Sequence, residues 1–126
     1  MQKRFAGLRT VIYRVPDVAA GKEWYRKAFQ TDPYFDEPFY VGFEIGGYEL
    51  GVHPLAPGEV HPGTGGVETY WGVENVREAY DFLLSLGATS HTAPQNVGGP
   101  IEVATVTDPW GNIIGLIYNP LFQVKA

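Results

Sequence analysis

Val67-Glu-Thr-Tyr-Trp-Gly-Val-Glu-Asn-Val-Arg-Glu-Ala-Tyr-Asp-Phe-Leu-Leu-Ser-Leu-Gly87 changes its hydrophobic period part-way along, and that change sets the fold. Val67 to Val73 is rich in β-branched and aromatic residues and reads as a strand. Asn75 is a good helix N-cap, and Glu78, three residues on, can reach back in capping-box fashion. Val76, Ala79, Tyr80, Leu83 and Leu86 then recur at helical spacing, and Gly87 stands where a left-handed C′ residue belongs.

The same passage occurs earlier in the chain. Thr10-Val-Ile-Tyr-Arg-Val15 reads as a strand, Asp17 as an N-cap, and Val18, Trp24, Tyr25, Ala28 and Phe29 follow at roughly helical spacing, with Gly21 costing that helix about 1 kcal/mol relative to Ala. Only strand signals follow each helix. Phe39 to Ile45 and Tyr48 to His53 flank Gly46-Gly47, the spacing of a tight hairpin, and Ile101 to Thr107 and Ile113 to Tyr118 flank the turn Asp108-Pro-Trp-Gly-Asn112. Further strands are expected near Tyr34 to Asp36 and near Ser90 to Ala93. The order is β-α-β-β-β, twice.

The halves also match residue against residue. Val15-Pro-Asp-Val18 lies opposite Val73-Glu-Asn-Val76 at an offset of 58, and Leu50 and Pro54 lie opposite Leu116 and Pro120 at an offset of 66. An internal duplication accounts for both. The Pro- and Gly-rich stretch from Pro54 to Gly66 divides a single domain, 1–126, into module one (about 8–54) and module two (about 67–120). A module that buries one face of a short sheet needs a neighbour, so a homodimer is expected.

Composition narrows the function. The 126 residues carry 14 acidic and 9 basic side chains, a net charge of −5, and no cysteine. Leu, Ile, Val and Phe make up about 27% of the chain, enough to build a core. The absence of cysteine excludes disulfide scaffolds, iron–sulfur clusters, thiolate zinc sites and cysteine nucleophiles, and fits a reducing cytoplasm. No apolar run approaches the ~18 residues of a membrane span. An acidic chain without a basic run does not make a nucleic-acid groove, so a neutral or cationic small organic molecule is the expected partner.

The segments Thr10-Val-Ile-Tyr-Arg-Val-Pro-Asp-Val18, Val73-Glu-Asn-Val76 and Asp108-Pro-Trp-Gly-Asn112, in that order and spacing, resemble the vicinal oxygen chelate superfamily, which includes glyoxalase I, bleomycin-resistance proteins and extradiol dioxygenases. The resemblance covers about Leu8 to Pro120. It implies an α+β fold of paired βαβββ modules whose curved mixed sheets form a U-shaped cavity, commonly in a homodimer. In enzymes of that family a divalent metal is held by four inward-facing residues, one on the first and one on the last strand of each module, usually His and Glu.

Carried over, those positions fall on Thr10, Glu49, Glu68 and Gly115. Glu49 and Glu68 can ligate well; a lone Thr hydroxyl is a poor ligand and Gly115 has no side chain. None of His53, His61 and His91 lands at a matching position. His53 shares a strand face with Glu49 but stands about 13 Å along it. The resemblance therefore implies a degenerate metal centre and no cofactor, the alternative being a divalent metal (Mg²⁺, Mn²⁺, Ni²⁺, Fe²⁺ or Zn²⁺) on Glu49 and Glu68. The same two carboxylates could instead be solvated on a sheet edge, or form a metal-free acid and base if they approach in a dry cavity.

Alternation places Ile12 and Arg14 with Thr10, Tyr70 with Glu68, and Gly51 with Glu49 on the ligand side, and Tyr13, Val15, Leu50, Val52, Ile114 and Leu116 on the helix side. Arg14 either binds a ligand carboxylate or pairs with Glu49 or Glu68. Tyr70 and Trp110 are candidates for stacking on a flat ligand. Three functions follow: a metal-independent small-molecule binder, a lyase, isomerase or dioxygenase using Glu49 and Glu68, and a non-catalytic interaction module.

Overall fold

A computed structural model describes residues 4, 8–56, 58 and 68–122. The chain divides into two compact units, Met1–His61 and Pro62–Ala126, with the boundary inside the Pro- and Gly-rich stretch. His61 and Val67, both used above, lie outside the described residues. Each unit packs one helix on one four-stranded mixed sheet, an α+β architecture.

The first unit runs β1 (Thr10–Val15), α1 (Val18–Phe29), β2 (Phe35–Glu37), β3 (Tyr40–Ile45) and β4 (Tyr48–Pro54), with sheet order β1-β4-β3-β2. β1 is parallel to β4 and the other pairs are antiparallel. Asp17 caps α1 by accepting from the Ala20 amide at 3.2 Å. Strand alternation then sorts the sheet. Tyr13, Val15, Val41, Phe43, Leu50 and Val52 are buried. Tyr25 of α1, also buried, stacks on Tyr13 at 5.3 Å. Each such side chain contributes about 1.5–3 kcal/mol, so this layer holds the opposite face of the sheet in place.

The second unit runs β5 (Tyr70–Gly72), α2 (Val76–Ser85), β6 (Thr89–Gly98), β7 (Ile101–Thr107) and β8 (Ile113–Tyr118), in sheet order β5-β8-β7-β6. The Asn75 side chain accepts from the Glu78 amide at 3.0 Å, and Gly87 takes φ 99° just past the helix end. Val76, Tyr80 and Leu83 of α2 are buried, as are Ala104, Val106, Ile114 and Leu116 of the sheet.

Three expectations change. Among the described residues of the strand expected from Val67 to Val73, the regular part is Tyr70–Gly72, at the edge of its sheet. The strand expected near Ser90 to Ala93 extends over Thr89–Gly98; it is the opposite edge, where register shifts and Pro94 are tolerated. Phe39 lies in the turn before β3 with 62% exposure.

Candidate functional site

The face of the first sheet turned away from α1 is fixed by its register. Thr10 stands opposite Glu49, Ile12 opposite Gly51 and Arg14 opposite His53. Across β4, Gly51 stands opposite Gly42 and Glu49 opposite Glu44. Paired residues point to the same side, so the cross-strand row Ile12, Gly51, Gly42 and Phe35 carries two glycines at its centre and leaves a hollow floored by backbone. Two tyrosines fill it. A Cβ on Gly51 would fall 2.2 Å from the Tyr40 hydroxyl, and one on Gly42 would lie 3.2 Å from the Tyr34 ring.

Both phenols end on one carboxylate. The Tyr34 hydroxyl donates to Glu49 Oε1 at 2.6 Å, and the Tyr40 hydroxyl donates to Glu49 Oε2. Glu49 is half-buried on β4, an interior strand, so neighbours flank it on both sides. The hydrogen bond to Glu49, then burial, raises the Tyr34 phenol above its ordinary pKa. Burial first, then Glu49, pushes Tyr40 further up. Each proton is thus kept on oxygen, and each phenol acts as a donor.

The next row carries the basic groups. Arg14 Nη1 lies 3.0 Å from His53 Nδ1, and the same nitrogen lies 2.7 Å from the Pro54 carbonyl. A lone pair on Nδ1 accepts from Arg14, whereas a proton there donates to Pro54, so the two contacts belong to different tautomers. Tyr40 meets His53 edge-on at 6.5 Å, joining the two rows. Ile12 and Phe35 supply exposed apolar surface, at 48% and 39% exposure.

The second unit holds a thinner version. Tyr70 stands opposite Gly115, and a Cβ there would fall 2.6 Å from its ring and 2.5 Å from the Thr69 carbonyl. The Tyr70 hydroxyl donates to Glu68 Oε1 at 3.2 Å, and burial, then Glu68, raises its pKa. Glu68 is exposed and precedes β5 by two residues. The residue matching Thr10 by sheet pairing is therefore Tyr70, at an offset of 60, while the helix caps keep the offset of 58. His91 Nδ1 lies 2.8 Å from Thr105 Oγ1. The Trp110 amide donates to the buried Asp108 carboxylate at 2.9 Å, as does the Asn112 amide at 2.8 Å, so the Trp110 backbone is fixed by a closed turn.

A groove of about 650 Å³ opens elsewhere on the first unit, between the start of α1 and β2. Its rim carries the Lys22–Asp36 ion pair at 3.1 Å. It includes Pro54, at the far end of β4 from Glu49.

The sequence over residues 7–116 matches the model of the glyoxalase/bleomycin resistance protein/dioxygenase superfamily. The chain belongs to that superfamily. Among solved structures, the superfamily fold recurs in a glyoxalase-related enzyme from Fulvimarina pelagi (TM-score 0.77, 18% identity, covering 97% of this chain and 94% of that one). It recurs also in a glyoxalase/bleomycin resistance protein/dioxygenase family enzyme from Burkholderia phytofirmans PsJN (TM-score 0.71, 19% identity, covering 90% and 98%). A glyoxalase/bleomycin resistance protein from Albidiferax ferrireducens T118 is similar to the same degree (TM-score 0.71, 18% identity, covering 90% and 98%). Among curated proteins none matches this sequence.

The positions that the resemblance assigns to a metal do not supply the ligand set of a divalent ion: Gly115 offers no side-chain atom, Thr10 a lone hydroxyl, and Glu49 and Glu68 are two carboxylates without a histidine. Among the described residues no group of three or more His, Asp or Glu side chains is disposed to hold a metal. Tyr34 and Tyr40 escape the sequence reading, which leaves most aromatics in the core. The signal for them is Gly42 and Gly51, two glycines on neighbouring strands whose parity matches Glu49.

Proposed function

We propose that this superfamily member binds a small organic molecule on the open face of its first sheet without a resident metal, with Glu49 as the polar anchor and Thr10, Ile12 and Arg14 along the same face. The double phenol contact at Glu49 carries the reading. The two phenols fix Glu49 as an acceptor and hold their own protons too tightly to coordinate an ion, and among the described residues no group of three metal-ligating side chains completes a site around it. An organic ligand needs only a single polar anchor beside apolar surface, which Glu49 and the exposed Ile12 supply.

The competing reading is a divalent-metal lyase, isomerase or dioxygenase built on Glu49 and Glu68. It is tested by titrating Mn²⁺ and Ni²⁺ into chelator-treated protein and following NMR line broadening. The expected result is no saturable broadening at Tyr34, Tyr40 or Glu49 below about millimolar metal, the range of weak carboxylate sites. Stoichiometric broadening centred on Glu49, lost in Glu49→Gln, would overturn the metal-free reading. The proposed assembly is a homodimer, measurable by light scattering.

A further inference from the structure

We infer that Glu49 Oε1 anchors the ammonium group of an arylalkyl amine, and that the Tyr34 hydroxyl is the internal stand-in which this ammonium displaces. The inference rests on the binding reading above and gives it a ligand class. The two phenols hold the carboxylate on unequal terms. Tyr40 is packed over Gly51 and makes a part-buried bond, whereas Tyr34 is 62% exposed, just before the edge strand β2. A side-chain rotation takes Tyr34 into solvent and leaves Oε1 and the backbone above Gly42 uncovered.

The surroundings select charge and shape. Glu44 stands directly across from Glu49 on β3, with its Oε2 accepting from the Gly47 amide at 2.5 Å, so two carboxylates sit side by side at this end of the face. Arg14 is four positions further along the ladder. The local field thus attracts cations and repels carboxylates and phosphates. Phe35 lies 6.1 Å from Tyr40, and with the exposed Ile12 offers flat and aliphatic surface for the carbon part of a ligand. Ring faces attract ammonium groups, and although N–H and O–H donors both make charge-assisted bonds to a carboxylate, only the ammonium adds the full coulombic attraction of a positive charge to Glu49 and Glu44. An ammonium therefore outcompetes the tyrosine that holds its place.

Phenethylammonium and its neutral counterpart phenethyl alcohol, titrated by NMR and calorimetry at neutral pH, test this directly. Wild type should bind the ammonium about tenfold more tightly than the alcohol, the scale of one charged contact. Tyr34→Phe, which removes the competing hydroxyl and keeps the ring, should tighten ammonium binding about threefold to tenfold. Glu49→Gln should abolish the preference by bringing ammonium binding down to the level of the alcohol. Equal binding of the two probes, or weaker ammonium binding in Tyr34→Phe, overturns the inference and leaves the binding site standing. Failure of both probes to perturb Ile12, Phe35 and Tyr40 overturns the binding reading as well. Thermal melts of both variants confirm that each is folded.

Discussion

In the first unit Tyr40 crosses Gly51 and donates to Glu49; in the second Tyr70 crosses Gly115 and donates to Glu68. The local device is the same, a phenol laid over a missing side chain to reach a carboxylate. The elements that supply it differ. Tyr40 comes from β3 and Glu49 from β4, so the contact ties two paired strands, and Tyr34 adds a second anchor from the approach to β2. Tyr70 and Glu68 are two residues apart on one edge segment, and their 3.2 Å bond ties that segment only to itself. A carboxylate held from several strands keeps its place when a ligand arrives, which is the preorganisation a binding site needs. A carboxylate held by its own neighbour does not.

Adding one methyl group at each glycine gives the largest effects, and gives them in opposite places. In Gly115→Ala the new carbon meets the Thr69 carbonyl, which is backbone and accepts the Gly115 amide at 2.8 Å. The edge strand must shift, and a loss of about 3 kcal/mol in urea denaturation is expected. In Gly51→Ala the carbon meets the free end of Tyr40, which can swing aside, so the loss should be nearer 1.5 kcal/mol. That swing takes the hydroxyl off Glu49, and amine binding should fall with it. Equal stability losses, or intact binding in Gly51→Ala, would break the distinction between the two units.

Neutralising each carboxylate comes next. Glu49→Gln loses two charge-assisted hydrogen bonds, one of them part-buried, and should cost about 1–2 kcal/mol. Glu68→Gln loses one long exposed bond and should stay within about 0.5 kcal/mol. Chemical denaturation of the pair under identical salt decides it. Comparable losses would mean that Glu68 is held by more than Tyr70.

These asymmetries mark where the sequence stops being readable. Asn75, Asp17 and the alternation of Tyr13 and Val15 against Ile12 and Arg14 are local signals, governed by caps and by the period of a strand, and each helix and inner face follows from them. Glu68 depends on register instead. The offset of 58 that aligns the helix caps does not align the sheets, because two fewer residues separate the paired part of β5 from its helix cap than separate the same part of β1 from its own. Tyr34 and Tyr40 depend on packing across three strands. Their hydroxyls reach Glu49 only because Gly42 and Gly51 fall side by side on paired strands, and strand pairing must be known before that gap exists.

The smallest expected effect is the most specific to the tyrosine pair. Tyr40 and Tyr70 both have raised pKa values, so the folded state favours their protonated forms. That contribution is complete below about pH 10, where unfolded tyrosine keeps its proton, and is lost as pH rises through the higher folded values. Stability measured by urea denaturation from pH 8 to pH 11.5 should therefore fall on the alkaline side. Tyr40→Phe should lower stability by about 1 kcal/mol near neutrality and flatten that alkaline fall, because it removes the more strongly shifted phenol. Tyr70→Phe should flatten it less, as burial and a single exposed glutamate shift that phenol by a smaller amount. Should the two variants flatten the curve equally, the hydroxyl of Tyr40 would be no better protected than that of Tyr70, and Glu49 would lose its claim to be the more firmly held carboxylate.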